Sequence, residues 1–280
     1  MSKIINIKGS LLDLSSPVVM GIVNVTPDSF YTNSRVESDT QIIERVGLML
    51  EQGATIIDIG AQSTNPNSPL LSVTEEVSRL TSFLPELRRL FPKAILSIDT
   101  FYADVAKMAV EDCGVDIVND ISGGQMDAAM FRTVAELKVP YVLMHMKGTP
   151  QNMVHQVDYA NLQQDIFYYF SEKIETLRLM GVNDIILDPG FGFSKTLHQN
   201  YEVMAQLSNF HIFELPLLVG ISRKSMIYRL LGVNADGSLN GTTALNMYSL
   251  CNGAAILRVH DVKEAVETVR IFNEIKGSEF

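Results

Sequence analysis

Several things are scarce in this sequence, and each scarcity removes a class of function. A basic surplus is missing: 22 lysines and arginines face 32 aspartates and glutamates, a formal charge of −10, which speaks against a nucleic-acid backbone as partner. Anionic small molecules are not excluded, because a few cations at one site outweigh the global charge locally. Long apolar runs are also missing, since no stretch reaches the roughly 18 residues that a membrane span needs. The opening Met1-Ser2-Lys3-Ile4-Ile5-Asn6-Ile7-Lys8 has too short an apolar run for a signal peptide. A cytoplasmic protein with no membrane partner is therefore expected. Two cysteines, Cys113 and Cys251, lie far apart in segments patterned as helix. They read as small buried or half-buried thiols rather than a metal or redox pair.

The histidines (His145, His155, His198, His211, His260) have no ligand spacing, which makes a zinc site improbable. There is no nucleophile elbow and no serine with an obvious base, so nothing suggests covalent catalysis. No linker rich in Pro, Gly or Ser divides the 280 residues. One domain is expected over residues 1–280, with a hairpin in 1–16 and the main body in 17–276.

What the chain does have is a repeated alternation. Ile4–Ile7 and Leu11–Leu14 flank Lys8-Gly9-Ser10 and read as a hairpin. Apolar runs of strand length follow at Val18–Val23, Thr55–Ile59, Ala94–Ile98, Asp116–Asn119, Tyr141–Met144, Asp184–Leu187, Leu217–Ile221 and Ala254–Val259. Stretches of helical period separate them: Thr40–Gln52, Val73–Phe91, Ala103–Asp112, Asp127–Leu137, Asn161–Met180, Leu197–Leu207, Ser225–Leu231 with Thr242–Leu250, and Val262–Ile275. Asp39 and Asp261 stand where N-caps belong, and Gly53 and Gly181 where helices end. Near-continuous apolar strands, each followed by a helix, imply a parallel sheet covered by helices. The expected fold is α/β, a (β/α)8 barrel with an N-terminal β-hairpin; a doubly wound open sheet is the runner-up.

Barrels of this kind place their chemistry at the C-terminal ends of the strands. Those ends carry, in order, Asn24, Asp58, Asp99, Asn119-Asp120, His145, Asp188, Ser222-Arg223-Lys224 and Arg258-Val259-His260. One such residue often only caps the next helix, but eight on one rim argue for a site. Carboxylates and amides dominate the first part and cations the last. That layout suits a ligand with a hydrogen-bond donor edge at one pole and an anion at the other. Gly190-Phe191-Gly192-Phe193-Ser194-Lys195 looks faintly like a phosphate loop but lacks its spacing. It reads as a flexible glycine turn whose aromatics either pack or stack on a flat ligand.

At four places the sequence resembles the dihydropteroate synthases: Met20-Gly21-Ile22-Val23-Asn24-Val25-Thr26-Pro27-Asp28-Ser29-Phe30, Leu187-Asp188-Pro189-Gly190-Phe191-Gly192-Phe193, Gly220-Ile221-Ser222-Arg223-Lys224-Ser225 and Leu257-Arg258-Val259-His260-Asp261-Val262. Ser97-Ile98-Asp99-Thr100, Val118-Asn119-Asp120-Ile121 and Leu143-Met144-His145-Met146 match the strand ends between. The resemblance runs in order from Met20 to Ile271. It implies condensation of 6-hydroxymethyl-7,8-dihydropterin pyrophosphate with 4-aminobenzoate, giving 7,8-dihydropteroate and pyrophosphate, with Mg2+ and usually as a homodimer.

The resemblance also implies roles. Asp99, Asn119 and Asp188 would read the pterin edge, Lys224 a ring acceptor, and Met144 and Phe193 would wall the slot. Asp99, Asp188 and Lys224 would carry the catalytic electrostatics. Asn24, Arg258 and His260 would hold pyrophosphate, with Asn24 also a magnesium ligand. Gly220 and Val259, in the same motifs, would also be substrate-binding residues, and Ser222, Thr64 and Pro66 would border the aminobenzoate. One departure stands out: Ser63-Thr64-Asn65-Pro66 replaces the family's Ser-Thr-Arg-Pro, and Gln62 stands where the family often has Glu. This bears on efficiency and on aminobenzoate or sulfonamide recognition, and not on the pterin pocket. The rival readings are a pterin-binding barrel that condenses nothing and an inactive paralogue.

Overall fold

The computed structural model describes residues 4–25, 35–62 and 69–278. The chain opens with an antiparallel hairpin of β1 (Ile4–Ile7) and β2 (Ser10–Asp13). Eight parallel strands follow: β3 (Val18–Asn24), β4 (Ile56–Gly60), β5 (Ile95–Asp99), β6 (Ile117–Asp120), β7 (Tyr141–Met144), β8 (Ile185–Asp188), β9 (Leu218–Val219) and β10 (Ile256–Val259). They neighbour one another in the order β8-β7-β6-β5-β4-β3-β10-β9. A parallel bridge between Leu187 and Leu217 brings the two ends together. The sheet is thus a nearly closed barrel, which sets aside the open doubly wound alternative. The closing seam is thin, because β9 contributes only two residues of the five expected.

Around the barrel lie α1 (Arg35–Glu51), α2 (Val73–Leu80), α3 (Leu84–Leu90), α4 (Ala103–Glu111), α5 (Met130–Leu137), α6 (Leu162–Leu179), α7 (Leu197–Ala205), α8 (Ser225–Leu231), α9 (Leu239–Cys251) and α10 (Val262–Gly277). Where one helix was expected over Val73–Phe91, two are found. Pro85 lacks the N–H that would continue α2, and it sits comfortably in the first turn of α3 instead. Burial of Phe83 and Leu84 fixes the break. Asp39 is not a cap either: it lies inside α1, where its carboxylate accepts from Ser82 Oγ at 3.1 Å. Gly53 and Gly181 do follow α1 and α6 at φ of 100° and 89°, a left-handed turn that glycine adopts without steric cost.

Alternation along the strands sorts the interior into levels. Met20, Ile56, Ile117, Val142, Ile186, Leu218 and Ile256 form an apolar floor, closed from below by Ile5 and Ile7 of the hairpin and by Leu14 just after it. Residues between them, such as Val19, Ile57, Val118, Leu143, Leu187 and Leu257, pack outward against the helices. Two positions beyond each floor residue the same face returns. There stand Ile22, Asp58, Asn119, Met144, Asp188, Gly220 and Arg258. The change from hydrocarbon to polar groups is what makes the upper level a site.

Candidate active site

That upper level opens into a cavity of about 330 Å³ at the C-terminal ends of the strands. It is lined by Ile22, Asn24, Gln62, Asp99, Asn119, Ile121, Met144, Asp188, Phe193, Gly220, Ser222, Arg223, Lys224, Arg258 and His260.

On one wall a guanidinium lies between two carboxylates. Arg258 Nε donates to Asp58 Oδ2 and its Nη2 to Asp99 Oδ2, both at 2.6 Å. Asn119 Nδ2 donates to the same Asp58 oxygen at 2.9 Å, which leaves its carbonyl oxygen for other donors. Burial pushes the Asp99 carboxyl up to about 7; Arg258 opposes this, while Asp58, Glu76 and Asp120 add to it. Facing this wall, Asp188 accepts the Gly190 N–H on Oδ1 at 2.8 Å. Its carboxyl is also raised by burial, against the pull of Lys224. Lys224 Nζ donates to the Phe191 carbonyl and lies 4.6 Å from the centre of the Phe193 ring. Burial lowers that amine to about 8, with Asp188 holding it up. Met144 and Phe193 supply apolar faces between these polar walls.

Towards the mouth, Ser222 Oγ accepts the His260 N–H at 3.1 Å and lies 3.2 Å from His260 Nδ1. Burial and then Arg258 lower His260 to about 4, so its ring is neutral at physiological pH. The loop after β9 is tied to the start of α10 by Arg223, whose Nε and Nη2 grip both oxygens of Asp261 at 2.9 and 2.7 Å.

The surroundings match known proteins closely. A family model for pterin-binding enzymes fits residues 20–260. Dihydropteroate synthase from Escherichia coli K12 is 41% identical over 266 residues, covering 94% of this chain and 93% of that one. The chain belongs to the dihydropteroate synthase family. Among solved structures, a Yersinia pestis dihydropteroate synthase in complex with a sulfonamide drug superposes with a TM-score of 0.91 at 41% identity, over 98% of this chain and all of that one. A Xanthomonas albilineans dihydropteroate synthase with 4-aminobenzoic acid gives 0.89 at 31% identity and 99% coverage of both chains. As a dihydropteroate synthase family member the chain is an alkyl-transferring enzyme of folate biosynthesis.

Of the residues singled out in the sequence, Asn24, Asp99, Asn119, Met144, Asp188, Phe193, Gly220, Ser222, Lys224, Arg258 and His260 all line this one cavity. Val259 does not: its side chain is wholly buried in the core between barrel and helices, as alternation from Arg258 requires. Thr64, Asn65 and Pro66 lie outside the described residues. Asp261 occupies the N-cap position of α10 without a side-chain cap bond, its carboxylate being taken by Arg223.

Other partners had weaker signals. Asp58 stands among the strand ends with no motif to mark its role, yet it is the fully buried partner of Arg258. Gln62 pairs through both amide atoms with the Leu71 backbone, and its Nε2 also donates to the buried Glu76 at 2.8 Å. An amide suits this spot, since it can donate to a carboxylate that burial already penalises. The Gly190–Lys195 segment, whose glycines suggest a flexible turn, is instead densely bonded, and Phe191 is a core residue.

Proposed function

We propose that this cavity binds the pterin of 6-hydroxymethyl-7,8-dihydropterin pyrophosphate between Met144 and Phe193, and that 4-aminobenzoate attacks its methylene from the cavity mouth. The observation that carries this reading is the placement of Asp99, Asn119 and Asp188 around one slot with apolar faces and a lysine. A pterin presents ring N–H and amino groups along one edge and ring acceptors along another. Asp188 Oδ2 and the Asn119 carbonyl oxygen are the acceptors left over for that edge, and Lys224 has two further protons for a ring acceptor.

Among the described residues lining the cavity no group is arranged to deprotonate an aniline before attack, so the chain's contribution is positioning and charge. The proton released as the C–N bond forms passes to solvent or to the departing pyrophosphate. Departure of pyrophosphate leaves positive charge on the methylene and pterin ring. Asp99 and Asp188, fixed in a site that disfavours their charge, are stabilised as that positive charge develops. His260, Ser222 and the free N–H groups at the start of α10 lie where the leaving anion would be met.

Among the described residues no group of three or more His, Cys, Asp or Glu side chains could hold a metal ion. Magnesium bound with substrate phosphates needs only one or two protein oxygens and keeps its waters. The exposed Asn24, on the cavity lining at the end of β3, fits that limited demand. Asn24 would hold Mg2+, which would neutralise charge on the departing pyrophosphate.

Homodimerisation, which the family resemblance implies, belongs to the same proposal and is read directly by light scattering. Turnover of the pterin pyrophosphate with 4-aminobenzoate, measured as pyrophosphate release, tests the function. Pterin binding without pyrophosphate release would favour a non-condensing barrel.

A further inference from the structure

The segment from Pro189 to Thr196 carries more of the cavity than its glycines suggest. Its Gly190 N–H holds Asp188, its Phe191 carbonyl holds Lys224, and its Phe193 ring lines the slot. Gly190, Gly192 and Ser194 all have left-handed backbones, at φ of 71°, 82° and 45°. At Gly190 a Cβ would come 2.0 Å from the His145 carbonyl oxygen, so the segment lies directly on the end of β7. The two glycines adopt this backbone freely, but at Ser194 it is unfavourable for a residue with a side chain and is kept in place by its surroundings.

Lys195 is the group best placed to do so. Only 8% exposed, it puts its Nζ 3.0 Å from His145 Nδ1, 3.0 Å from the Gly190 oxygen and 3.1 Å from the Phe193 oxygen. When Lys195 is protonated, its three ammonium protons meet three acceptors, and His145 then carries its own proton on Nε2. Burial lowers the Lys195 amine to about 7 while Asp188 holds it up, and burial keeps His145 well below its ordinary range. On the other side of the segment, the buried Asn200 accepts the Gly192 N–H at 2.6 Å and donates to the Thr196 carbonyl at 2.7 Å. Lys195 does not line the cavity.

We propose that Lys195 is a positioning residue for pterin recognition: paired with His145, its ammonium clamps the Gly190 and Phe193 carbonyls and so sets Asp188, Phe193 and Lys224 against the ligand. The inference rests on the pterin assignment made above. A lysine that merely supported the fold would affect stability and every ligand alike.

The test is calorimetric binding of 6-hydroxymethylpterin, with inhibition by pyrophosphate and thermal unfolding measured alongside. Wild type is compared with Lys195→Met, Lys195→Gln and Lys195→Met/His145→Leu. The pterin Kd should rise roughly tenfold or more in Lys195→Met, and less in Lys195→Gln, whose amide replaces up to two of the donors. Inhibition by pyrophosphate should change by less than about threefold, because its site is built from the β9 and β10 ends. The double variant has no orphaned imidazole nitrogen and should recover thermal stability, yet still bind the pterin weakly.

A pterin Kd within about twofold of wild type in Lys195→Met would overturn the inference. So would affinity in the double variant that recovered in step with its melting temperature. Should Lys195→Met fail to fold, Lys195→Gln and the double variant make the same comparison. A wild-type protein that ignores the pterin would overturn the cavity assignment itself, and this inference with it.

Discussion

Replacing Arg258 with methionine should damage the fold and the pterin site together, because the side chain is committed to carboxylates. The motif around Arg258 suggests an anion-binding residue whose loss spares the pterin. The structure places its guanidinium between Asp58 and Asp99, with both contacts at 2.6 Å. Methionine keeps most of the side-chain volume and removes the charge. Asp58, fully buried, would then face Asp99 with only the Asn119 amide as a partner. Breaking a fully buried ion pair from one side costs about 3–5 kcal/mol. The Arg258 and Asp99 side chains retain 16% and 13% exposure, so some solvent screening remains. A loss of about 2–4 kcal/mol is therefore expected, or a melting temperature lower by roughly 5–10 °C for a chain of this size.

The pH dependence has a definite sign. Asp99 is already raised to about 7 by burial, and Arg258 is the main force opposing that rise. Without the guanidinium the carboxyl rises further, and protonation relieves the bare pair. The stability deficit of Arg258→Met should therefore grow as pH rises from 5.5 to 8. Adding Asp58→Asn removes one of the two opposed charges and should recover much of the stability but not the turnover. The assays are thermal unfolding at the two pH values and calorimetry with a pterin lacking phosphates. Unchanged melting and unchanged pterin affinity, with only pyrophosphate inhibition lost, would refute the reasoning and restore Arg258 as a free anion-binding group.

Asp188→Asn keeps the shape of a pterin contact but removes its charge, and should lower kcat/KM by about 10–150-fold; wild-type kinetics would discard the assignment. His260, held at about 4 instead of its ordinary 6.5, contributes stability that is lost as pH falls through that window. His260→Gln should accordingly melt with a shallower fall between pH 6.5 and 4 than wild type, and an identical profile would mean the ring is more solvated than the structure shows. Ile5→Ala, under the barrel floor, should cost about 2–4 kcal/mol by leaving a cavity, measured by urea unfolding, while leaving pterin affinity intact. From the sequence alone, Asn65→Arg should lower the KM for 4-aminobenzoate, and an unchanged KM would show that this position does not limit the enzyme.

The strands were legible because a parallel sheet is buried on both faces, which leaves apolar runs with polar ends. Asp99, Asn119 and Asp188 were visible for the same reason, since each interrupts such a run where the chain leaves the barrel. Pairings across long separations were not visible. Nothing local to Arg223 tells that it grips Asp261, and nothing in a Gly-Phe-Gly-Phe run tells that Lys195 reaches back to His145. Glu76 sits in a helix with an ordinary charged surface pattern, yet it is wholly buried against Gln62. The break before α3 was written in Pro85 but masked by the helical period on either side. Val259 shares a motif with the site residues on either side, whereas alternation along β10 turns its side chain into the core.

The seam of the barrel lies under the site. Between β8 and β9 the sheet is joined by one parallel bridge, from Leu187 to Leu217, with the Leu187 N–H on the Pro216 oxygen at 2.9 Å. Asp188 follows one edge of that seam, and Gly220, Ser222 and Lys224 follow the other. A pterin held by Asp188 and Lys224 together would act as a stitch across the place where the cylinder is most easily parted. Substrate would then complete the hoop that the backbone leaves almost open, and slow amide exchange at Leu187 and Leu217–Ile221 should accompany binding. Part of the binding energy would go into closing the cylinder, so substitutions that lengthen the β9 pairing should tighten pterin binding without touching it.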